Sequence, residues 1–272
     1  MKVDESQVRR HLLWRIHRRY QTVTVPVQVG GLTLQFTRIA DPDRVLDAVA
    51  EEETRLEKLH GRVSEDQLHL PYWAELWDSA AGMAEWLAAG QGAGNVGVGC
   101  VDGPHVHAYA NMLPSSHSTL DLGCGMGLSG TAAAALGHRV LFADLEPPAL
   151  LFARLNSLPF SNRCRYRQVD WRKDNLSEQF DLILGADILY ERKQWEFLEP
   201  FWRAHLADQG IVLLGEPGRQ TGNLFIPWIE TRGWKLKRHE QPVPTRPKPI
   251  RLLELKSAQK TPAKIDERQE YG

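Results

Sequence analysis

The hydrophobic pattern changes period along the chain. Val8, Leu12, Ile16 and Tyr20 recur at helical spacing and predict a helix over residues 5–20. Residues 22–39, TVTVPVQVGGLTLQFTRI, alternate apolar and polar positions around Gly30-Gly31, the signature of a β-hairpin. A helical period returns over 41–59, opened by Asp41-Pro42, a cap followed by proline at the first helical position. Residues 71–89 open on proline and predict a further helix with Trp73, Trp77 and Ala81 on one face. From residue 119 strands and helices alternate. Strands are expected at Thr119–Leu122, Arg139–Ala143, Arg165–Val169, Phe180–Leu184, Gly210–Leu214, Trp234–His239 and Pro249–Leu255. Helices are expected at Leu128–Leu136, Pro148–Asn156, Lys193–Leu206 and Leu224–Thr231. This alternation predicts an α/β fold, a doubly wound sheet of seven strands with helices on both faces. An N-terminal helix and hairpin elaborate it.

The same reading divides the chain into three parts. Residues 1–70 form the elaboration, 71–256 the α/β domain and 257–272 a polar, frayed tail. A glycine-rich insertion is expected at 90–118. Lys and Arg number 33 against 34 Asp and Glu, so the chain is close to neutral and is not built globally for nucleic acid. Arg9, Arg10, Arg15, Arg18 and Arg19 crowd one side of the first helix, but a solvated face explains them more simply, and the acidic stretch 41–57 offsets them. Three cysteines, Cys100, Cys124 and Cys164, make no disulfide framework. No apolar run reaches the roughly 18–20 residues of a membrane helix, and the charged start has no secretory apolar region. A cytoplasmic protein is the expectation.

The chemistry concentrates where strands end. Thr119-Leu-Asp-Leu-Gly-Cys-Gly-Met-Gly-Leu-Ser-Gly130 runs from a short strand through glycines into a helix of small residues. Glycines there let the chain turn tightly and let a ligand approach the backbone. Asp144 ends the next strand, 23 residues after Asp121, where a carboxylate can accept hydrogen bonds from ribose hydroxyls. Gly125-x-Gly127-x-x-Gly130 formally matches the dinucleotide fingerprint, so a nicotinamide nucleotide stays open. Asp121 argues against it, because a carboxylate just before the glycines is awkward beside a pyrophosphate. It suits instead a nucleoside with a cationic amino-acid end, such as S-adenosylmethionine. Trp171, after Asp170, could wall an adenine. Asp187 breaks the apolar end of the Phe180 strand, an expensive place for a carboxylate that is neither paired nor used. Tyr190 follows three residues on. Cys100, Asp102, His105 and His107 are metal-ligand types without paired spacing, so no metal is expected.

These motifs resemble the seven-β-strand, Rossmann-like S-adenosylmethionine-dependent methyltransferases. More narrowly, they resemble the protein lysine methyltransferases with a DxxY motif, whose members modify chaperones, elongation factors and electron-transfer flavoprotein. The matching pieces are Leu76-Trp77-Asp78-Ser79-Ala80, the Asp121–Gly127 loop, Asp144, Trp171 and Gly185-Ala-Asp-Ile-Leu-Tyr190. The resemblance implies that Trp77, Gly123, Gly125, Asp144, Trp171 and Ala186 line the cofactor site. Asp121 and Gly127, in the same loop, are expected to bind the cofactor as well. It implies that Asp187 and Tyr190 face the acceptor, a lysine of a protein substrate. A small-molecule acceptor, or a nucleotide-binding module without catalysis, are the alternatives.

Overall fold

The computed structural model describes residues 4–29, 31–60, 70–91 and 117–258. Most of the 90–118 insertion, the possible metal ligands within it and nearly all of the 257–272 tail lie outside the described residues.

Helix α1 (Glu5–His17) starts on the Asp4 side chain, which accepts the Ser6 N–H at 3.0 Å. It buries Leu12 and Ile16. Strands β1 (Thr22–Val29) and β2 (Leu32–Ile39) pair antiparallel in register from Thr22 opposite Ile39 to Val29 opposite Leu32. Helix α2 (Pro42–His60) follows. This hairpin is a sheet of its own, separate from the main one.

The expected helix over 71–89 is divided. Tyr72–Ala74 makes one 3-10 turn, Glu75 is extended (φ −88°, ψ 140°), and helix α3 runs Asp78–Gln91. The extended break puts Trp73 and Trp77 in different surroundings rather than on one helix face. Trp73 packs against Tyr20 and Phe152, with ring centroids 5.3 and 5.9 Å away.

The main sheet contains β3 (Ser118–Leu122), β4 (Arg139–Asp144), β5 (Cys164–Gln168), β6 (Phe180–Ala186), β7 (Leu206–Glu216), β8 (Trp234–Gln241) and β9 (Ile250–Ser257). Their order is β5-β4-β3-β6-β7-β9-β8. The first five are parallel, while β9 pairs antiparallel with both β7 and β8. The two final strands are joined without a helix, so the chain can return only antiparallel. Side chains alternate across the sheet. Ile183, Val212, Leu214 and Leu253 share one core with Trp195, Trp202 and Phe225. Leu182, Leu184, Leu213 and Leu252 share the other with Met83, Ala133 and Phe142. The first set packs on α6 (Trp195–His205) and α7 (Gln220–Glu230), the second on α3 and α4 (Leu128–Ala135). Truncating a fully buried tryptophan such as Trp195 or Trp202 would cost roughly 3–5 kcal/mol.

Helix α5 (Pro147–Asn156) ties the hairpin to the sheet. Buried Asn156 accepts the Thr37 N–H at 2.8 Å and donates to the Thr37 and Met126 carbonyls at 3.0 and 2.9 Å. One side chain thereby joins β2 to the glycine turn. No described helix is long and apolar enough to cross a membrane.

Candidate active site

The parallel strands end together, and a cavity of about 490 Å³ opens beyond them. That volume suits a small-molecule ligand. Gly123, Gly125 and Asp144 form one side and Ala186, Asp187 and Tyr190 another, with Trp77 and Trp171 among the walls.

The glycine turn is shaped by backbone conformation. Gly123, Gly125 and Gly127 have φ of 64°, 52° and 84°, the left-handed region that side chains disfavour. At Gly127, which caps α4, a Cβ would also lie 2.7 Å from the Ala153 Cβ. Asp144 braces this turn: its carboxylate accepts the Gly125 N–H at 2.8 Å and the Glu146 N–H at 2.9 Å. Burial pushes its pKa up to about 6, against the pull of those two bonds.

Two expected cofactor residues do not line the cavity: Asp121 and Gly127. Asp121 is buried behind the turn, where it accepts the Gly130 N–H at 2.9 Å. The carboxylate expected to face a cationic ligand end therefore holds the first turn of α4. The reason is the period-2 alternation of β3, which turns this side chain into the sheet's core layer, where burial raises its pKa to about 7. Gly130 is needed beside it, since a Cβ there would fall 2.4 Å from Phe142 and 2.6 Å from the Asp121 carboxylate.

Trp171 donates its indole N–H to Gln194 at 3.0 Å, which fixes the ring on the wall. Beside it the Asp170 carboxylate is gripped by the Arg172 guanidinium at 2.9 Å, which holds its pKa down to about 2.

The other end of the cavity is built differently. Asp187 is the one non-glycine residue with positive φ (57°) among the described residues. Its N–H still bonds the Gly215 carbonyl at 2.8 Å, so the chain leaves β6 by a sharp left-handed turn anchored on β7. Its carboxylate meets Arg219 in a two-pronged ion pair, Nη1 to Oδ1 at 2.8 Å and Nη2 to Oδ2 at 3.1 Å. The guanidinium also lies over the Trp77 ring, 5.3 Å from its centroid. Burial, only partly opposed by Arg219, raises the Asp187 pKa to about 6. Trp77 donates its indole N–H to the Tyr72 carbonyl at 3.0 Å. Tyr72 in turn packs edge-on against Tyr190, with centroids 5.2 Å apart, and both rings are partly exposed at the mouth.

Sequence reasoning missed Arg219, Tyr72 and Gln194. Arg219 carried a usable signal, since it follows a strand's carboxyl end in Glu216-Pro-Gly-Arg219, where ligands bind in such sheets. The expected helix began at Leu224, whereas α7 begins at Gln220 and makes Arg219 its N-cap.

A family model described as lysine methyltransferase matches residues 61–226, more than half of the chain. The chain belongs to the lysine methyltransferase family. Among curated relatives, it is 30% identical over 160 residues to Protein N-lysine methyltransferase METTL21A of Xenopus tropicalis, covering 56% of this chain and 63% of that one. It is 28% identical over 155 residues to the Electron transfer flavoprotein beta subunit lysine methyltransferase of Danio rerio, covering 55% of this chain and 51% of that one. The aligned part thus spans between half and two thirds of each relative. A solved TehB-like SAM-dependent methyltransferase from Corynebacterium glutamicum superposes with a TM-score of 0.48 at 20% identity, over 80% of this chain and all of that one.

Proposed function

We propose that this protein transfers a methyl group from S-adenosylmethionine to a lysine side chain of a protein substrate. The observation that carries this reading is the two-ended cavity. One end offers close backbone approach and a carboxylate, and the other a buried carboxylate under an aromatic mouth. The residues fit the cofactor: Asp144 for ribose hydroxyls, Gly123 and Gly125 for close approach, and Trp77, Trp171 and Ala186 as walls. When bound, it supplies a methyl group on a cationic sulfur.

The chain's own part is alignment and proton control. Placing an amine in line with that methyl gains mainly from proximity. A lysine has a free pKa near 10.4 and must arrive or become neutral. Asp187 faces the acceptor end, ionised at neutral pH, and holds and orients the ammonium. A carboxylate with a pKa of about 6 is also a better proton acceptor than an exposed one. Burial at this end favours loss of the ammonium proton to give the neutral amine that must attack. Tyr72 and Tyr190 wall the approach of a long aliphatic side chain.

In this reading residues 71–256 carry the methyltransferase unit and residues 1–70 an elaboration, whose α1 and β1–β2 hairpin pack on α5 and the glycine turn. The protein works in the cytoplasm, where the free thiols of Cys124 and Cys164 are at home. The near-neutral charge supports a protein partner rather than nucleic acid.

Incubation of the protein with tritiated S-adenosylmethionine and lysate should label a protein band, with methyl-lysine found there by mass spectrometry. Label confined to a small-molecule fraction would replace the lysine acceptor. A melting temperature raised by NAD and by neither S-adenosylmethionine nor S-adenosylhomocysteine would replace the cofactor.

A further inference from the structure

We propose that Arg219 is the positioning residue of the acceptor site, holding the Asp187 carboxylate in one orientation and in its charged form for the incoming ammonium. This rests on the lysine reading above and adds to it the group that makes Asp187 usable.

The geometry carries the argument. A two-pronged guanidinium–carboxylate pair fixes a carboxylate's plane, which a single contact does not. Each Asp187 oxygen gives one lone pair to Arg219 and keeps another. Asp187 lines the cavity, so the free pairs serve a third group there. Arg219 is itself fixed. Its guanidinium lies over Trp77, its N–H bonds the Glu216 carboxylate at 3.0 Å, and its carbonyl accepts from Arg251 at 3.2 Å. Arg251 is ion-paired with Glu216 and hydrogen-bonded to Asn223. Gly222 leaves room for this arrangement, since a Cβ there would fall 2.5 Å from the Glu216 carboxylate. The arginine therefore sits on a braced platform at the start of α7.

Charge supplies the second line. The groups facing Asp187 are Arg219, Arg246 from the segment before β9, Glu216 at the end of β7, and Tyr190 on the turn after β6. Arg219 is the largest influence favouring the ionised form against burial, and Arg246 a smaller one whose guanidinium is engaged by the Pro217 carbonyl at 2.7 Å. Without Arg219, burial and Glu216 act against Arg246 alone, and the carboxylate would take up a proton at higher pH.

The test follows the carboxyl carbons of aspartate by 13C NMR in the protein without cofactor, with the Asp187 signal assigned by its loss in Asp187→Asn. The expected titration midpoint is about 6 in the wild type and about one pH unit or more higher in Arg219→Gln. Arg219→Lys keeps the charge without the fork, so it should restore most of the midpoint. On the protein labelled by tritium, the acidic limb of kcat/KM should move with the midpoint. At pH 8.5, Arg219→Lys should still lose about tenfold in kcat/KM through the acceptor KM, with the affinity for S-adenosylhomocysteine within threefold of wild type. An Asp187 midpoint equal in Arg219→Gln and wild type would overturn the proposal. If Arg219→Gln does not fold, an Arg219→Lys enzyme with unchanged acceptor KM and kcat/KM at pH 8.5 overturns it instead. Should Asp187→Asn keep wild-type turnover, the acceptor reading itself fails, whatever the midpoints show.

Discussion

The two ends of the cavity are made by different means. The end proposed for the cofactor has a local polar framework: a glycine turn, the strand before it and the end of the next strand lie within residues 118–146, most of its polar contacts run to backbone, and Trp77, Trp171 and Ala186 add only walls. The end proposed for the acceptor gathers Tyr72, Asp187, Tyr190 and Arg219 from three separate stretches of chain, with Trp77 shared between the two ends, and its central contact joins two side chains. A local site depends on backbone conformation and tolerates few side chains at its glycines. An assembled site depends on partners, so losing one changes the charge and orientation of another.

That contrast can be broken most sharply at Asp187. Asp187→Asn keeps the shape and removes the charge, and Arg219 is exposed enough to recover water. Methyl transfer should fall by at least ~100-fold, while calorimetry should find cofactor affinity nearly unchanged. Turnover within threefold of wild type would mean that Asp187 only shapes the turn after β6.

At the cofactor end Asp144→Ala should do the reverse. The ribose hydroxyls and the N–H groups of Gly125 and Glu146 lose a charged acceptor, each such bond being worth roughly 1.5–3 kcal/mol. S-adenosylmethionine affinity should drop about tenfold or more by calorimetry, and unchanged affinity would place the ribose elsewhere.

Asn156→Ala probes whether the hairpin supports the glycine turn. It removes three buried hydrogen bonds and leaves their backbone partners unsatisfied, a cost of about 1–3 kcal/mol for each group that water cannot reach. Urea denaturation should show the loss. A weakened cofactor affinity alongside it would join the N-terminal elaboration to the cofactor end.

The comparison also predicts a pH dependence at Asp121. Its folded pKa of about 7 lies above the unfolded value near 3.9. The folded protein thus keeps this proton where the unfolded chain has lost it. The resulting stability is complete below about pH 4 and is lost as pH rises to about 7. Asp121→Asn, which can still accept the Gly130 N–H, removes that dependence. Without cofactor, denaturation at pH 5, 6, 7 and 8 should show the wild type losing ground to the variant by up to about 1.4 kcal/mol per pH unit, levelling off above 7. A constant difference would show that Asp121 is ionised throughout.

Much of this was legible because it is periodic or local. The alternation after residue 119 specifies strands and helices, and their long crossovers demand parallel pairing. The glycines announce a turn that only they adopt without strain. Asp187 was conspicuous as a charge ending an apolar strand, a position that requires a partner or a use. Which partner was not legible. Arg219 lies 32 residues away and reaches Asp187 because β6 and β7 are neighbours and α7 starts one turn earlier than its apolar pattern suggests. The direction of Asp121 was misread for a related reason. The residue type permits a ligand contact, but strand alternation turns it into the core, against Phe142 and Gly130.

The sequence by itself determined the sheet, the glycine turn and the chemical types at the strand ends, because these follow from hydrophobic period and from backbone conformations within a few residues. The tertiary structure alone decided which charges meet. Coulomb and hydrogen-bond energies depend on distance in space and on burial, and those are settled only when strands distant in sequence lie side by side.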